Sequence, residues 1–410
     1  MNTLWIITEL FPPEETSTAY ILGEMANAAA KEYRVQVICG PEVYDKRKKT
    51  DRDHPFALDR NILVHHLSGG GMDKNKPWQK ALSFLLMSAR LYKVSKKKVG
   101  DGDKVLLVTN PALLVLLMSR LRKNRMFELN VLVHDVFPEN TIPAGMNIPG
   151  WAYGWLKRRF DKAYSRADGF ITLGRDMAEV VRGKAGNRAR VGIVENWADV
   201  DTVKPLPFPE GMIKLEYAGN IGKVQGLEKI VKELPDGVEL HFYGTGSMEE
   251  TLKGMNHPNV FFHGAYFRSQ QTEVLGACHA AIVTLAEGMY GLGVPSKSYN
   301  IMAAGRPIIY FGPEMGEIAL TIKEYGIGYI GWPEKWDKTV LEEMGRKARV
   351  LAETKYSKET ILNKFVNVFD KPRADELARM PRRENGLMKS NVFDKPREEE
   401  LALIPRREND

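Results

Sequence analysis

Short apolar runs alternate with longer amphipathic stretches along most of this chain, and the alternation stops once and then restarts. Residues 4–8, 34–39, 62–66, 104–109, 130–134, 169–172 and 192–195 read as strands, with a helix near 19–30 after the first of them. Runs this short and this apolar, separated by helical segments, are the pattern of a parallel sheet covered by helices on both faces. The series breaks at 196–211, where Pro205, Pro207, Pro209 and Gly211 mark a linker. Strands then resume at 213–217, 239–243, 260–262, 280–284 and 307–310.

The expected architecture is α/β, with two Rossmann-like, doubly wound domains facing across a cleft. The boundaries fall at 1–205 for the first domain and 206–355 for the second. A helix at 356–366 returns to the first domain, and a duplicated tail occupies 367–410. In open sheets of this kind ligands bind beyond the carboxyl ends of the strands, so the cleft is the expected active site. The tail repeats Asn-Val-Phe-Asp-Lys-Pro-Arg at 367 and 391, a period of 24 residues. Two copies are too few for a solenoid. They read either as a charge-mixed, solvated segment or as a docking motif presenting Phe369 and Phe393.

Composition removes several classes. Hydrophobic residues at 43% and charged residues at 27% describe an ordinary folded protein. The longest apolar stretch, 112–118, falls far short of the roughly 20 residues a spanning helix needs. No basic segment precedes the apolar run at 4–8, so it does not read as a secretory signal. Cys39 and Cys278 are the only cysteines, which excludes a disulfide framework and fits a reducing cytoplasm. The net charge of +7 is uneven: residues 1–200 hold 31 Lys/Arg against 22 Asp/Glu, whereas 201–410 hold 28 against 30.

Three segments carry chemistry. In Gly219-Asn220-Ile221-Gly222-Lys223, a strand runs into a glycine turn ahead of a helix, where backbone amides and a mobile cation suit an anion. Tyr243-Gly244-Thr245-Gly246 is a second such turn, able to cradle a nucleotide or simply to make a tight connection. The third, and most specific, runs from Glu287 to Pro307. There Gly291 and Gly293 open a turn, Pro295 pre-sets a helix, and Ser296 and Lys297 sit at its start. Asn300 follows one turn later, within reach of a ribose or base.

The order of these segments resembles the GT-B glycosyltransferases of family 4, which use nucleotide sugars and retain anomeric configuration. The resemblance covers nearly all of residues 1–365. It is carried by the two glycine turns and Val294-Pro-Ser-Lys-Ser-Tyr-Asn300, with Phe11-Pro-Pro13, Val133-His-Asp-Val-Phe-Pro-Glu139 and Glu195-Asn-Trp-Ala-Asp199 in support. Within the family it is similar to the bacterial O-antigen and capsule subgroup, which includes L-fucosamine-type aminosugar transferases.

The resemblance implies that Gly219, Asn220, Gly222, Lys223 and Lys297 meet the donor diphosphate. It places Gln225, Gly244, Thr245, Gly246, Glu287, Pro295, Ser296, Tyr299 and Asn300 about the nucleotide sugar. His134, Lys223 and Lys297 become the catalytic candidates, and Thr16, Ser17, Thr18 and Asp135 the acceptor-side candidates. Two features depart from the family. Its E-x(7)-E pair is replaced by Leu292 and Asn300, and its first-loop Gly-Gly pair by Glu14-Glu-Thr-Ser-Thr-Ala-Tyr20.

The implied activity is transfer of a sugar, an N-acetylated deoxyhexosamine, from a UDP-sugar to a lipid-linked or polysaccharide acceptor. No cofactor or metal is expected: cations from the protein can stabilise the leaving diphosphate, and Asp101-Gly-Asp103 reads as a turn. Residues 74–98 hold eight Lys/Arg and no acid, interleaved with apolar side chains. This is either a peripheral anchor on an anionic membrane surface, at the inner face of the plasma membrane, or a core helix with a solvated basic end. Trp155-Leu-Lys-Arg-Arg-Phe160 is a second basic, aromatic element. No nucleic-acid motif accompanies the charge. Two other activities fit the same residues: a nucleotide-sugar epimerase or hydrolase of this fold, and a catalytically silent nucleotide-sugar-binding subunit.

Overall fold

The computed structural model describes residues 3–14, 16–42, 56–68, 77–186 and 189–369. Residues 370–410 of the repeated tail and Lys74 and Lys76 of the basic segment lie outside these residues. Phe369, read as presented for docking, is a correction: it ends the helix Lys358–Phe369, is 3% exposed and packs on Tyr33 and Phe365. Seven strands form the first sheet: β1 (Thr3–Ile7), β2 (Arg34–Cys39), β3 (Leu63–His66), β4 (Lys104–Val108), β5 (Glu128–Leu132), β6 (Gly169–Thr172) and β7 (Arg190–Ile193). All pairs are parallel, in the order β3-β2-β1-β4-β5-β6-β7. The second sheet contains β8 (Ile213–Ala218), β9 (Val238–Tyr243), β10 (Val260–Phe262), β11 (Ala280–Thr284), β12 (Ile308–Phe311) and β13 (Gly328–Ile330). It is parallel as well, in the order β10-β9-β8-β11-β12-β13.

Central strands are apolar throughout because helices cover both faces. Every residue of β6 and β11 is buried, while the edge strands β3 and β13 are half-buried or more open. One core fills both faces of the first sheet and continues onto one face of the second, through Tyr299, Ile301, Met302 and Ala303. A smaller core lies on the other face of the second sheet, around Leu215, Tyr217, Leu240 and Phe242.

The proline-rich linker is packed rather than loose. Trp197, Ala198 and Val203 are buried. Arg306, 1% exposed, donates from Nη2 to the carbonyls of Leu206, Pro207 and Gly276 and lies over the Phe208 ring. The helix Lys358–Phe369 packs against the helix Ser17–Ala29, and Lys358 and Lys364 pair with Glu24 and Glu195.

Three strand readings need correction. The strand expected at 192–195 is Arg190–Ile193, the residues that pair with Gly169–Thr172 of β6. The strand expected at 130–134 is Glu128–Leu132, because the backbone ladder with β4 begins at Glu128 opposite Lys104. The strand at Gly328–Ile330 was not expected, being three residues long and fixed only by pairing with β12.

Candidate active site

Both sheets reverse their winding at one place, between β1 and β4 in the first and between β8 and β11 in the second. Loops leaving β1, β8 and β11, with the segment after β7, line a cavity of about 280 Å³. This is where open α/β sheets hold ligands.

The glycine loop forms one wall. β8 ends at Ala218, and Gly219 takes φ +143°, a conformation open mainly to glycine. The loop stays laced to the turn after β9: Gly219 N–H donates to Tyr243 O (2.8 Å) and Ile221 N–H to Thr245 O (3.0 Å). A Cβ on Gly244 would stand 2.0 Å from Gly219 O, and one on Gly246 would stand 2.1 Å from Ile221 O. Gly244, Thr245 and Gly246 therefore support the 219–222 loop from behind and do not line the cavity. The amides of Asn220 and Gln225 converge on Gly222, where an added Cβ would lie 2.7 Å from each.

Lys297 opens the helix Lys297–Ala303 and lies over this loop. Its Nζ stands 3.6 Å from the centre of the Tyr217 ring, and a Cβ on Gly219 would come within 3.0 Å of it. Burial pulls the ammonium down to about 7, against the charge of Glu216, which opposes the shift. Glu216 itself is 1% exposed, and neither carboxylate oxygen takes a hydrogen bond. Burial pushes its carboxyl up to about 8, while Arg306 and Lys297 pull the other way.

Helical spacing sorts the rest of this segment. Lys297, Asn300 and Ile301 share the face that lines the cavity, while Ser298, Tyr299 and Met302 turn into the core. Tyr299, expected at the donor, is thus a correction: it is 1% exposed and packs edge-on against Tyr356. Asn300 does line the cavity, but its amide is occupied. Its Oδ1 accepts from Asp199 N–H (3.0 Å), and its Nδ2 donates to Asp199 Oδ2 (3.3 Å) and Gln271 Oε1 (3.0 Å). Ser296 lines the cavity and Pro295 is half-buried beside it, whereas Glu287 is exposed and outside.

Across the cleft, Ser17 lines the cavity, and Thr16 caps its helix by accepting from Ala19 N–H (3.2 Å). Thr18 is half-buried and outside the lining. His134 and Asp135 are not in the lining either. They lie behind Thr109, whose Oγ1 accepts from both of their backbone N–H groups. They also face the 291–293 turn: a Cβ on Gly293 would be 3.7 Å from His134 O and Asp135 Oδ1. The His134 Nε2 is buried without a hydrogen bond, and burial lowers the imidazole to about 4, which keeps it neutral at pH 7. Lys223 is exposed in the short helix Lys223–Gln225, at the outer end of the glycine loop. Asp101 and Asp103 accept from Met126 N–H and Gly100 N–H, so both serve a turn.

Sequence reasoning missed a cluster on the remaining wall. Asp199, after β7, accepts from Tyr20 Oη, Trp197 Nε1, Asn300 Nδ2 and the Arg268 guanidinium. Trp197 and Asp199 are two residues apart, but Tyr20, Arg268 and Asn300 are remote from them in sequence, and no spacing connects these. On the far side, Arg175 grips Glu317 through its backbone N–H (2.7 Å), Nε (3.0 Å) and Nη2 (3.1 Å), tying the two sheets' helices together.

No family model matches the chain. The probable glycosyltransferase WbjE of Pseudomonas aeruginosa is 30% identical over 349 residues, covering 80% of this chain and 85% of that protein. The putative colanic acid biosynthesis glycosyl transferase WcaI of Escherichia coli K12 is 25% identical over 261 residues, 54% of this chain and 63% of the relative. Among solved structures, Anabaena Alr3699/HepE in complex with UDP shares the fold at a TM-score of 0.60, with 14% identity over 90% of this chain and 100% of that one. Likeness to a glycosyltransferase along four-fifths of the sequence joins with the paired parallel sheets to one conclusion: the chain belongs to the GT-B glycosyltransferases of family 4.

Proposed function

We propose that the chain moves an N-acetylated deoxyhexosamine from a UDP-sugar to a lipid-linked or polysaccharide acceptor in surface glycan assembly, with retention. The observation that carries this is Lys297, a buried ammonium set over the glycine loop in the cleft cavity. The UDP bound by the Anabaena structure and the colanic acid role in the name of the E. coli relative support the donor and the setting.

In the proposed reaction the bond from the anomeric carbon to the diphosphate oxygen breaks, and a bond to the acceptor oxygen forms on the same face. The acceptor's proton passes to the departing phosphate oxygen. Lys297 and the 219–222 backbone hold the charge that grows on that diphosphate, and a preorganised site does this without reorganising at the moment of reaction. Lys223, at the rim, draws the donor in. His134, neutral at pH 7, is assigned to the sugar hydroxyls, and Ser17 to the acceptor side.

The basic, apolar helices would rest on an anionic membrane at its cytoplasmic face. In the helix Pro77–Lys98, Leu82, Leu85 and Leu86 are exposed, as are Lys93, Lys96, Lys97 and Lys98. Trp151 and Trp155 are exposed on the helix Gly150–Tyr164. Both helices pack on the helix Leu113–Leu121 between them. No helix among the described residues is long and apolar enough to cross a membrane.

Calorimetric titration with UDP, GDP and dTDP, with and without EDTA, tests the donor assignment. Selective binding of UDP that survives EDTA is the expected result. Binding of GDP or dTDP in its place would overturn the choice of base.

A further inference from the structure

Of the side chains lining the cavity, two are cationic, Lys297 and Arg268, and nothing in the sequence motifs accounts for the second. Arg268 begins the short helix Arg268–Gln270, beyond β10. Its guanidinium carbon lies 3.6 Å above the centre of the Tyr20 ring, close to van der Waals contact, and its Nη2 pairs with Asp199. Three further donors draw on the same carboxylate: Tyr20 Oη (3.2 Å), Trp197 Nε1 (3.0 Å) and Asn300 Nδ2 (3.3 Å). Asp199 therefore fixes the orientation of Arg268 while its charge is shared among four groups. Nε and Nη1 of Arg268 have no hydrogen-bond partner among the described residues, and the side chain stays 42% exposed.

A guanidinium serving only as a tie between the halves would have its donors paired with acceptors on both sides. This one is stacked, oriented and left open to the cavity. The geometry points to Arg268 as a second donor-binding residue, taking the phosphates of a nucleoside diphosphate together with Lys297, with Asp199 and Tyr20 as its positioning residues. This rests on the UDP-sugar reading above and adds a residue to it. The two cations differ in kind. Arginine stays charged at every accessible pH, whereas a buried lysine can lose its proton. Because Tyr20 belongs to the first half and Arg268 to the second, an anion held there also draws on both sides of the cleft.

The test is calorimetric titration of UDP and uridine into wild type, Arg268→Gln, Arg268→Lys and Lys297→Met, with melting temperatures measured alongside. Arg268→Gln should weaken UDP by at least about tenfold, the scale of a lost charge-assisted contact, and flatten the salt dependence of binding. Uridine affinity should stay within about twofold, since it has no phosphate for the guanidinium to hold. Arg268→Lys, which keeps the charge but loses the planar stack, should fall between wild type and Arg268→Gln and guards against a folding artefact. UDP binding unchanged in Arg268→Gln, with Lys297→Met weakened, overturns the assignment of Arg268 and leaves the donor reading standing. Equal loss of UDP and uridine also overturns it, because Arg268 would then act only as a tie. UDP binding unchanged in both variants, or absent from wild type, removes the donor reading and this inference with it.

Discussion

Replacing Lys297 by methionine should stabilise the protein and weaken its hold on UDP, and both effects should shrink as pH rises. Methionine keeps an unbranched stem on the Tyr217 ring and removes the buried ammonium. An unfolded lysine holds its proton up to about 10.5, whereas the folded one releases it at about 7. Between those values the unfolded state binds more protons, so this group's contribution to wild-type stability is present above 10.5 and lost as pH falls to 7. At about 1.4 kcal/mol per pKa unit the full cost approaches 5 kcal/mol, and relaxation around a real buried charge brings the expected gain to about 2 kcal/mol at pH 6–7. That gain should shrink steadily toward high pH. UDP affinity of the wild type should fall by up to about tenfold per unit above pH 7, because the ammonium must be recharged to meet the diphosphate. In the variant it should be weak and far less dependent on pH. Urea unfolding and calorimetric UDP titration at pH 6, 7, 8 and 9 measure both. A variant less stable than wild type at pH 6–7, or a wild type whose UDP affinity is level from pH 6 to 9, would refute the reasoning.

Gly244→Ala places a Cβ 2.0 Å from Gly219 O at a φ of +135°, so the glycine loop must move. We expect a loss of about 3 kcal/mol in unfolding free energy and weaker UDP binding, and an unaltered melting curve would show that the two loops are not held as described. Changing Lys93, Lys96, Lys97 and Lys98 together to glutamine should weaken binding to anionic vesicles, by about 1 kcal/mol for each cation at the surface and more visibly at low salt. Vesicle sedimentation across a salt series reads this, and unchanged partitioning would remove the helix from the membrane contact.

Much of the fold was legible because parallel strands buried on both faces leave continuous apolar runs, and a run such as Ala280–Thr284 carries its own boundaries. The glycine loop and Lys297 were legible for a related reason: each is a local device, a turn and a helix start, written in adjacent residues. Errors arose where structure depends on distant partners. Gly328–Ile330 is a strand only because β12 lies beside it. The proline-rich segment looked like a tether, yet Arg306, about a hundred residues later, fastens it down through carbonyl groups. Tyr299 was misplaced by a single step along a helix, since neighbouring residues point about 100° apart and Asn300 holds the cavity face.

The absent carboxylate pair shows the same limit from the chemical side. The family's E-x(7)-E pattern leaves Asn300 where an acid is usual, a residue able to hydrogen-bond but without charge. In the fold, Asn300 hydrogen-bonds Asp199, so a carboxylate from the segment after β7 stands beside the cavity at that place. Its oxygens are spent on four donors, however, and the group it orients is a cation. Negative charge at this wall has thus become the support for positive charge. Glu216 stands behind Lys297 on the neighbouring wall, buried without a hydrogen bond. Burial pushes its carboxyl up to about 8, so it opposes the loss of the lysine's proton only where it is itself ionised. Each of the two cations in the cavity has a buried acid behind it, one bonded and one acting through space. A site built this way holds its cations ready for an anionic donor, and the cost of burying those charges accounts for why the stability and the affinity of Lys297 variants should move in opposite directions.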